Sequence, residues 1–164
     1  MNNMKKEQKE QELTLEGDFY IDSNFFITSV IDLGNEGESA RSIIEEIKKG
    51  VLRGHTSTLT LDEVLWIVQR EKNRDISYES AKIIIKIPNL NFIGVDEEIM
   101  KQGLEIYSKY GLNPRDAIHL ACMKKLKLDK IVTADSDFDK IKDVKRIDFT
   151  KIKFIEGKGF KNSS

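Results

Sequence analysis

Four acidic residues stand where a chain of alternating strand and helix character enters or leaves an element: Asp22 directly after FYI, Glu63 in TLDEV, Asp116 in NPRDAIHLA and Asp135 in IVTADSDF. Carboxylates gathered within about 4–6 Å repel one another, so such a group either takes up protons at raised pKa or holds a cation. An all-oxygen set suits a hard divalent ion, Mg²⁺ or Mn²⁺. The two histidines, His55 and His119, offer no zinc-type arrangement. The last motif carries aspartates at alternate positions, Asp135, Asp137 and Asp139, which match the first ligand positions of a calcium-binding loop. That loop is excluded, because Lys140 occupies the position that needs glycine and Arg146 the position that needs a bidentate glutamate.

Taken singly, each acid also has an ordinary role. Asp22 suits an Asx turn or the N-cap of the following helix, with Asn24 capping or orienting its carboxylate. Thr60 and Glu63 have the spacing of a capping box. Asp116 benefits from a helix dipole, and His119 one turn later either reaches it or is a partly buried helix residue. Ser136 or Asp137 suits the cap of a helix from near Phe138 through Lys142, with the neighbouring acids solvated. Four separate coincidences at one edge are harder to sustain than one shared site.

The elements that must position these acids read as follows. DFYID (18–22) is strand-like and SNFFITSVIDL helical, with Phe25, Phe26, Val30 and Leu33 inward. ESARSIIEEIKKG sets Ile43, Ile44 and Ile47 on one helical face, with Gly50 as the stop. β-Branched HTSTLT (55–60) predicts a strand and LDEVLWIVQREK a helix. ISYESAKIIIKI predicts a helix opened by Ser77 and closed before Pro88. LNFIGV (90–95) is strand-like, DEEIMKQGLEIYSKYG an amphipathic helix ending at Gly111, and PRDAIHLACMKKLKL a helix with Asn113 at its N-cap and Pro114 at N1. KIVTA (130–134) predicts a buried strand, and VKRIDF with KIKFIE an edge strand. The alternation implies an α/β fold whose parallel sheet is covered on both faces. Ligands in such sheets bind outside the carboxyl ends of the strands, which is where the four acids fall.

Composition bounds the rest. The 164 residues suit one domain, and no apolar run approaches the roughly 20 residues that span a bilayer. MNNMKKEQKEQELTLEGD has no apolar core of a secretory signal, so residues 1–17 are expected to form a polar, partly disordered tail, with a second tail over 157–164. A single cysteine, Cys122, excludes an internal disulfide and fits a reducing cytoplasm. The formal net charge of −1 argues against a general nucleic-acid binder, unless acids gathered around a cation leave a basic face elsewhere.

In order, YIDSNFFI, TLDEV, NPRDAIHLA and IVTADSDF resemble the acidic motifs of the PIN-domain nucleases, above all the VapC-like toxins of toxin–antitoxin pairs, over residues 18–156. The resemblance implies a three-layer α/β fold with a five-stranded parallel sheet in the order 3-2-1-4-5 and helices on both faces. It implies a Mg²⁺- or Mn²⁺-dependent endoribonuclease acting on RNA, with Asp22, Glu63, Asp116 and Asp135 as the catalytic acids. Asp22, Asp116, Asp135 and Asp137 would hold metal, Asn24 and Thr133 match polar positions beside it, and Glu63 would position water or ligate through it. Asp139 has no counterpart and is expected to face solvent. Arg115, Lys142, Lys145 and Arg146 are candidates for phosphate contacts. A VapB-like antitoxin and a toxin homodimer are the implied partners, with Phe25, Phe26 and the helices at 36–50 and 61–72 as candidate contacts. The extension before the first strand is longer than is usual in these toxins, which leaves room for a PIN nuclease of RNA maturation or decay without an antitoxin. A non-catalytic PIN-like module would be marked by loss of an acid, and all four are present. A haloacid-dehalogenase-type enzyme wants a second aspartate at position 24, which is Asn24.

Overall fold

Phe19 and Ile21 project from one face of the first strand, and Tyr20 from the other, into two separate apolar cores. The computed structural model in which they lie describes Leu15, residues 17–155 and residues 159–162, with side chains described as far as Ile152. Its elements run β1 (Asp18–Ile21), α1 (Ser23–Ile31), α2 (Asn35–Lys48), β2 (Arg53–Ser57), α3 (Thr58–Glu71), α4 (Arg74–Ile84), β3 (Leu90–Ile93), α5 (Glu97–Tyr110), α6 (Pro114–Lys125), β4 (Lys130–Val132), a 3-10 turn (Ser136–Lys140), β5 (Lys145–Ile147), a second 3-10 turn (Phe149–Lys151), β6 (Ile152–Ile155) and β7 (Gly159–Asn162). The first five strands form a parallel sheet in the order β3-β2-β1-β4-β5, as the sequence resemblance implies. The chain builds β1 to β3 outward in one direction and β4 and β5 in the other, so the switch point lies between β1 and β4.

One core joins Phe19 and Ile21 to Phe25, Phe26, Ile43, Ile47, Val64, Val68 and Phe149, beneath α1, α2 and α3. The other joins Tyr20 and Ile131 to Ile99, Ile106, Leu120 and Phe138, beneath α5, α6 and the first 3-10 turn. These are the two helical layers of the sandwich. β1 pairs with β2 on one side and β4 on the other, which accounts for the complete burial of Phe19, Tyr20 and Ile21. Asp22 continues the extended backbone at φ −77°, ψ 159°, and so keeps the parity of Tyr20, toward α6.

Several boundaries and faces differ from the sequence reading. Thr58 to Thr60 belong to α3 and not to β2, since Ser57 already stands at the N-cap; Thr60 bonds Thr56 across that corner (Oγ1 to Oγ1 2.7 Å), so no Thr60–Glu63 capping box forms. Helix α4 opens at Asn73, whose side chain accepts from the Ile76 amide at 2.9 Å, whereas Ser77 is interior and donates to the Leu65 carbonyl. Leu33 lies past the end of α1 and is 89% exposed. Phe25 and Phe26 are wholly buried and so are unavailable as partner contacts. β5 is the edge strand, while β6 leaves the main sheet and pairs antiparallel with β7, so part of the expected C-terminal tail is a hairpin. The expected tail over residues 1–17 lies, apart from Leu15 and Gly17, outside the described residues.

The corner between α1 and α2 is built around Asp32. There the Gly37 amide donates to Asp32 Oδ2 at 2.6 Å, and Arg41 Nη1 donates to the Asp32 and Ser29 carbonyls at 2.7 and 3.0 Å. A Cβ at Gly37 would collide with the Asp32 backbone carbonyl. Gly37→Ala is therefore expected to destabilise the fold by about 1–3 kcal/mol, whereas Gly94→Ala, where nothing lies within 4 Å, leaves stability unchanged. Urea denaturation of the two variants beside the parent checks this.

Candidate active site

At the carboxyl edge of the sheet, the Asp22 carboxylate is 3% exposed and held by several donors. Oδ1 accepts from the Ser23 amide at 2.7 Å, and Oδ2 from Asn24 Nδ2 at 2.9 Å and Thr133 Oγ1 at 2.8 Å. The same Asn24 nitrogen reaches Thr133 Oγ1 at 2.7 Å, so the two polar residues brace each other and the carboxylate between β1 and β4. From Thr133 the chain continues: its Oγ1 accepts from the Asp135 amide at 3.0 Å, and Asp135 Oδ1 accepts from the Asp137 amide at 2.8 Å, capping the 3-10 turn. Asp116 arrives from the opposite side, three residues past the Asn113 N-cap of α6. Carboxylate oxygens of Asp116, Asp135 and Asp137 lie within 4.8 Å of one another. Asp22, Glu63, Asp116 and Asp135, with Asn24, Arg115 and Ile67 among their neighbours, line one open cleft of about 510 Å³.

Beneath this cleft lies a residue that the sequence offers either as a contact of Asp116 or as a partly buried helix residue. His119 is wholly buried. Its Nε2 is 2.7 Å from Glu63 Oε1 and 3.5 Å from Asp22 Oδ1, and its Nδ1 is 2.8 Å from the Tyr20 hydroxyl. Carboxylates only accept, so Nε2 carries a proton and donates to Glu63. Burial keeps the Tyr20 phenol protonated, raising its pKa well above the ordinary value. Glu63 thus ties α3 to α6 and serves neither as a cap nor as a surface charge. The signal in the sequence was parity: Tyr20 faces the layer that contains α6, and His119 lies on that helix's buried face. The other histidine, His55, pairs with Asp18 at 3.0 Å near the start of the sheet and takes no part.

The electrostatics follow from this crowding. Burial raises the pKa of Asp22, against the lowering effects of His119 and the Thr133 hydrogen bond. Asp116 is pushed up to about 6 by burial and by the charge of Asp22, with Asp135 adding to the shift and the Asn113 hydrogen bond opposing it. Burial alone would lower the pKa of His119, but its bond to Glu63 and the charge of Asp22 outweigh burial and raise it. These acids lie close enough to penalise one another's ionisation, and a divalent cation would relieve that penalty. Three carboxylates converging without a competing soft ligand fit a hard ion that keeps several waters.

The expected phosphate contacts divide. Arg115 lines the cleft and lies 3.6 Å from Asp62. Arg146 is engaged elsewhere: Nε and Nη2 hold Asp139 at 2.8 and 3.1 Å, and Nη1 reaches Asp148 at 3.1 Å. Asp139 is therefore not simply solvated, but the partner of a forked ion pair that fixes the end of the 3-10 turn to β5. Lys145 is exposed at the start of β5, and Lys142 lies away from the cleft, in a groove shared with α6.

Ribonuclease VapC2 of Methanocaldococcus jannaschii is 28% identical over 149 residues, spanning 84% of this chain and 93% of its own. The solved structure of VapC20 from Mycobacterium tuberculosis, a sarcin–ricin loop cleaving toxin, superposes with a TM-score of 0.63 at 16% identity, over 74% of this chain and 92% of the other. VapBC2 from Rickettsia felis, bound to a DNA fragment from its promoter, gives a TM-score of 0.62 at 15% identity, over 80% and 98%. At these identities, the two structures establish a shared fold. The family model for the PIN domain matches residues 19–144, which contain β1 from its second residue, all of β2 to β4, the whole acidic cleft and the His119 network, and the chain belongs to the PIN domain family.

Proposed function

We propose that this protein is a Mg²⁺- or Mn²⁺-dependent endoribonuclease that hydrolyses RNA phosphodiester bonds, and that it acts in the cytoplasm as the toxin of a VapBC-type pair. The observation that carries this reading is the single cleft lined by Asp22, Glu63, Asp116 and Asp135, in which Asp116 and Asp135 approach Asp137 to within 4.8 Å. The ribonuclease name of the M. jannaschii relative and the toxin–antitoxin complexes among the structural neighbours support it. The catalytic unit is proposed to span residues 18–156. Exposed apolar side chains on α3 and α4, among them Leu65, Trp66 and Ile83, offer a surface to a VapB-like antitoxin or to the second subunit of a homodimer.

Asp116, Asp135 and Asp137 would hold the cation, with Asp22 at the back of the site. When bound, the ion supplies a Lewis acid for water and for a phosphoryl oxygen. The residues of the chain do the rest. Asn24 and Thr133 hold the Asp22 carboxyl group aimed into the cleft. His119 fixes one oxygen of Glu63, leaving the other free to orient and accept a proton from the attacking water. Arg115, at the rim, is placed to contact a phosphate beside the scissile one.

Asp22→Asn and Asp116→Asn are each expected to reduce cleavage of a structured RNA pool by at least about 100-fold, and EDTA to abolish it in the parent. Gel analysis of cleavage in Mg²⁺, Mn²⁺ and EDTA tests the reading; cutting by the parent that survives EDTA and both substitutions would overturn it.

The raised acids and His119 act in one direction on stability. A carboxyl whose pKa is higher folded than unfolded favours the fold while protonated and loses that contribution as pH rises through the folded value, here about 6 for Asp116. Raised His119 has the same sign. The metal-free protein should therefore melt higher at pH 5 than at pH 7.5, and Mn²⁺ should raise the melting temperature more at pH 7.5 than at pH 5. Asp116→Asn should flatten both dependences in thermal scans.

For His119, the expectation concerns turnover. His119→Leu should lower kcat about 10–100-fold with little change in KM, the usual scale for a residue that orients a site's ligands. His119→Gln, which retains a donor for Glu63, should recover part of the loss. Steady-state kinetics on one defined RNA would distinguish this from a general loss of folded protein.

A further inference from the structure

The cleft is a poor attractor for a polyanion. Its lining carries four carboxylates against one cation, Arg115, itself 3.6 Å from Asp62, and nearby Lys140 is 2.9 Å from Asp137 while Arg146 is held by Asp139 and Asp148. Cations without ion-pair partners gather elsewhere. A groove of about 290 Å³ is lined by Lys124, Lys127, Lys140 and Lys142, with Tyr110 and a single acid, Asp143. Lys124, Lys127 and Lys142 form no ion pair among the described residues, and Lys124 Nζ lies 5.4 Å from the Tyr110 ring centroid. In a chain of formal net charge −1, this is a local excess of positive charge.

The groove and the cleft share two walls. Helix α6 carries Asp116 in its first turn and Lys124 in its last, about 12 Å further along its axis. The segment after β4 carries Asp135 and Asp137 at its start and Lys140 and Lys142 at its end. Both elements thus leave the acidic site together and reach the lysines together, and Lys140, bonded to Asp137 while lining the groove, marks the junction. From this we propose that the groove between the C-terminal half of α6 and residues 140–144 is an auxiliary RNA-backbone site, which binds phosphates of the same strand a few nucleotides from the scissile bond and supplies the attraction that the acidic cleft cannot. Phosphate contacts by lysine are independent of base sequence, so the groove would add affinity for length and not for sequence. The inference deepens the ribonuclease reading and rests on it for the identity of the polymer.

The test uses the full chain with Lys124, Lys127 and Lys142 changed together, to Gln in one variant and to Glu in another, with folding checked by thermal midpoint. Binding of a fluorescein-labelled single-stranded RNA of about 20 nucleotides, measured by anisotropy in EDTA, should weaken at least tenfold with Gln and more with Glu. The slope of log affinity against log salt should fall in magnitude by about 2, the size expected for three lost single-strand phosphate contacts. In Mg²⁺ or Mn²⁺, KM for the long RNA should rise while cleavage of a tetranucleotide, too short to reach the groove, stays at the parent's rate. Long-RNA binding and salt slope equal to the parent's in both variants would overturn the groove while leaving the nuclease reading intact. Groove-dependent binding by a parent that cleaves neither RNA would sustain the groove and remove the nuclease reading.

Discussion

His119 lies without exposed surface between Tyr20 of β1 and Glu63 of α3, and the arrangement of the acidic edge depends on that imidazole. A glutamate that is 8% exposed beside a buried aspartate would be costly to keep ionised without a donor. The ring supplies one, and because its other nitrogen meets the Tyr20 hydroxyl, its orientation is set by the central strand of the sheet. Three elements distant in sequence are thereby held in one hydrogen-bond chain directly below the cleft. The polar clamp of Asn24 and Thr133 on Asp22 does the equivalent work between β1 and β4.

The result is a site built under electrostatic tension. Burial raises the pKa of both Asp22 and Asp116, with the charge of Glu63 adding to the first shift and those of Asp22 and Asp135 to the second, while the surrounding donors keep the carboxylates aimed and not dispersed. Converging carboxylates of this kind suit a small hard cation and repel a bare phosphate. The fold answers the second problem by distance, placing lysines that form no ion pair among the described residues toward the far ends of the same two elements whose near ends carry the acids. On the proposed reading, metal affinity and polymer affinity are separated along α6.

Much of this was legible in the chain itself. The strand character of DFYI, the Asn113–Pro114 helix start and the Gly111 stop at φ 63° each follow from local chemistry, and the structure places them as read. The four motif acids share one cleft because strands of a parallel sheet deliver their carboxyl ends to the same edge. Local reading failed where local preferences competed. The β-branched run Thr56–Thr60 suited a strand, but the chain turns into α3 after Ser57, and the capping-box spacing of Thr60 and Glu63 was overridden by partners from other elements.

Sequence alone therefore determined the element types, the edge at which the acids collect and the kind of ion they suit, because those depend on side-chain identity, short-range period and strand direction. Only the tertiary structure decided that His119 joins Glu63 to Tyr20, that Arg146 is committed to Asp139 and Asp148, and that Lys124, Lys127 and Lys142 line a separate groove. Those contacts arise where packed layers meet; Tyr20 and His119 stand 99 positions apart, and no local period relates two residues across that separation.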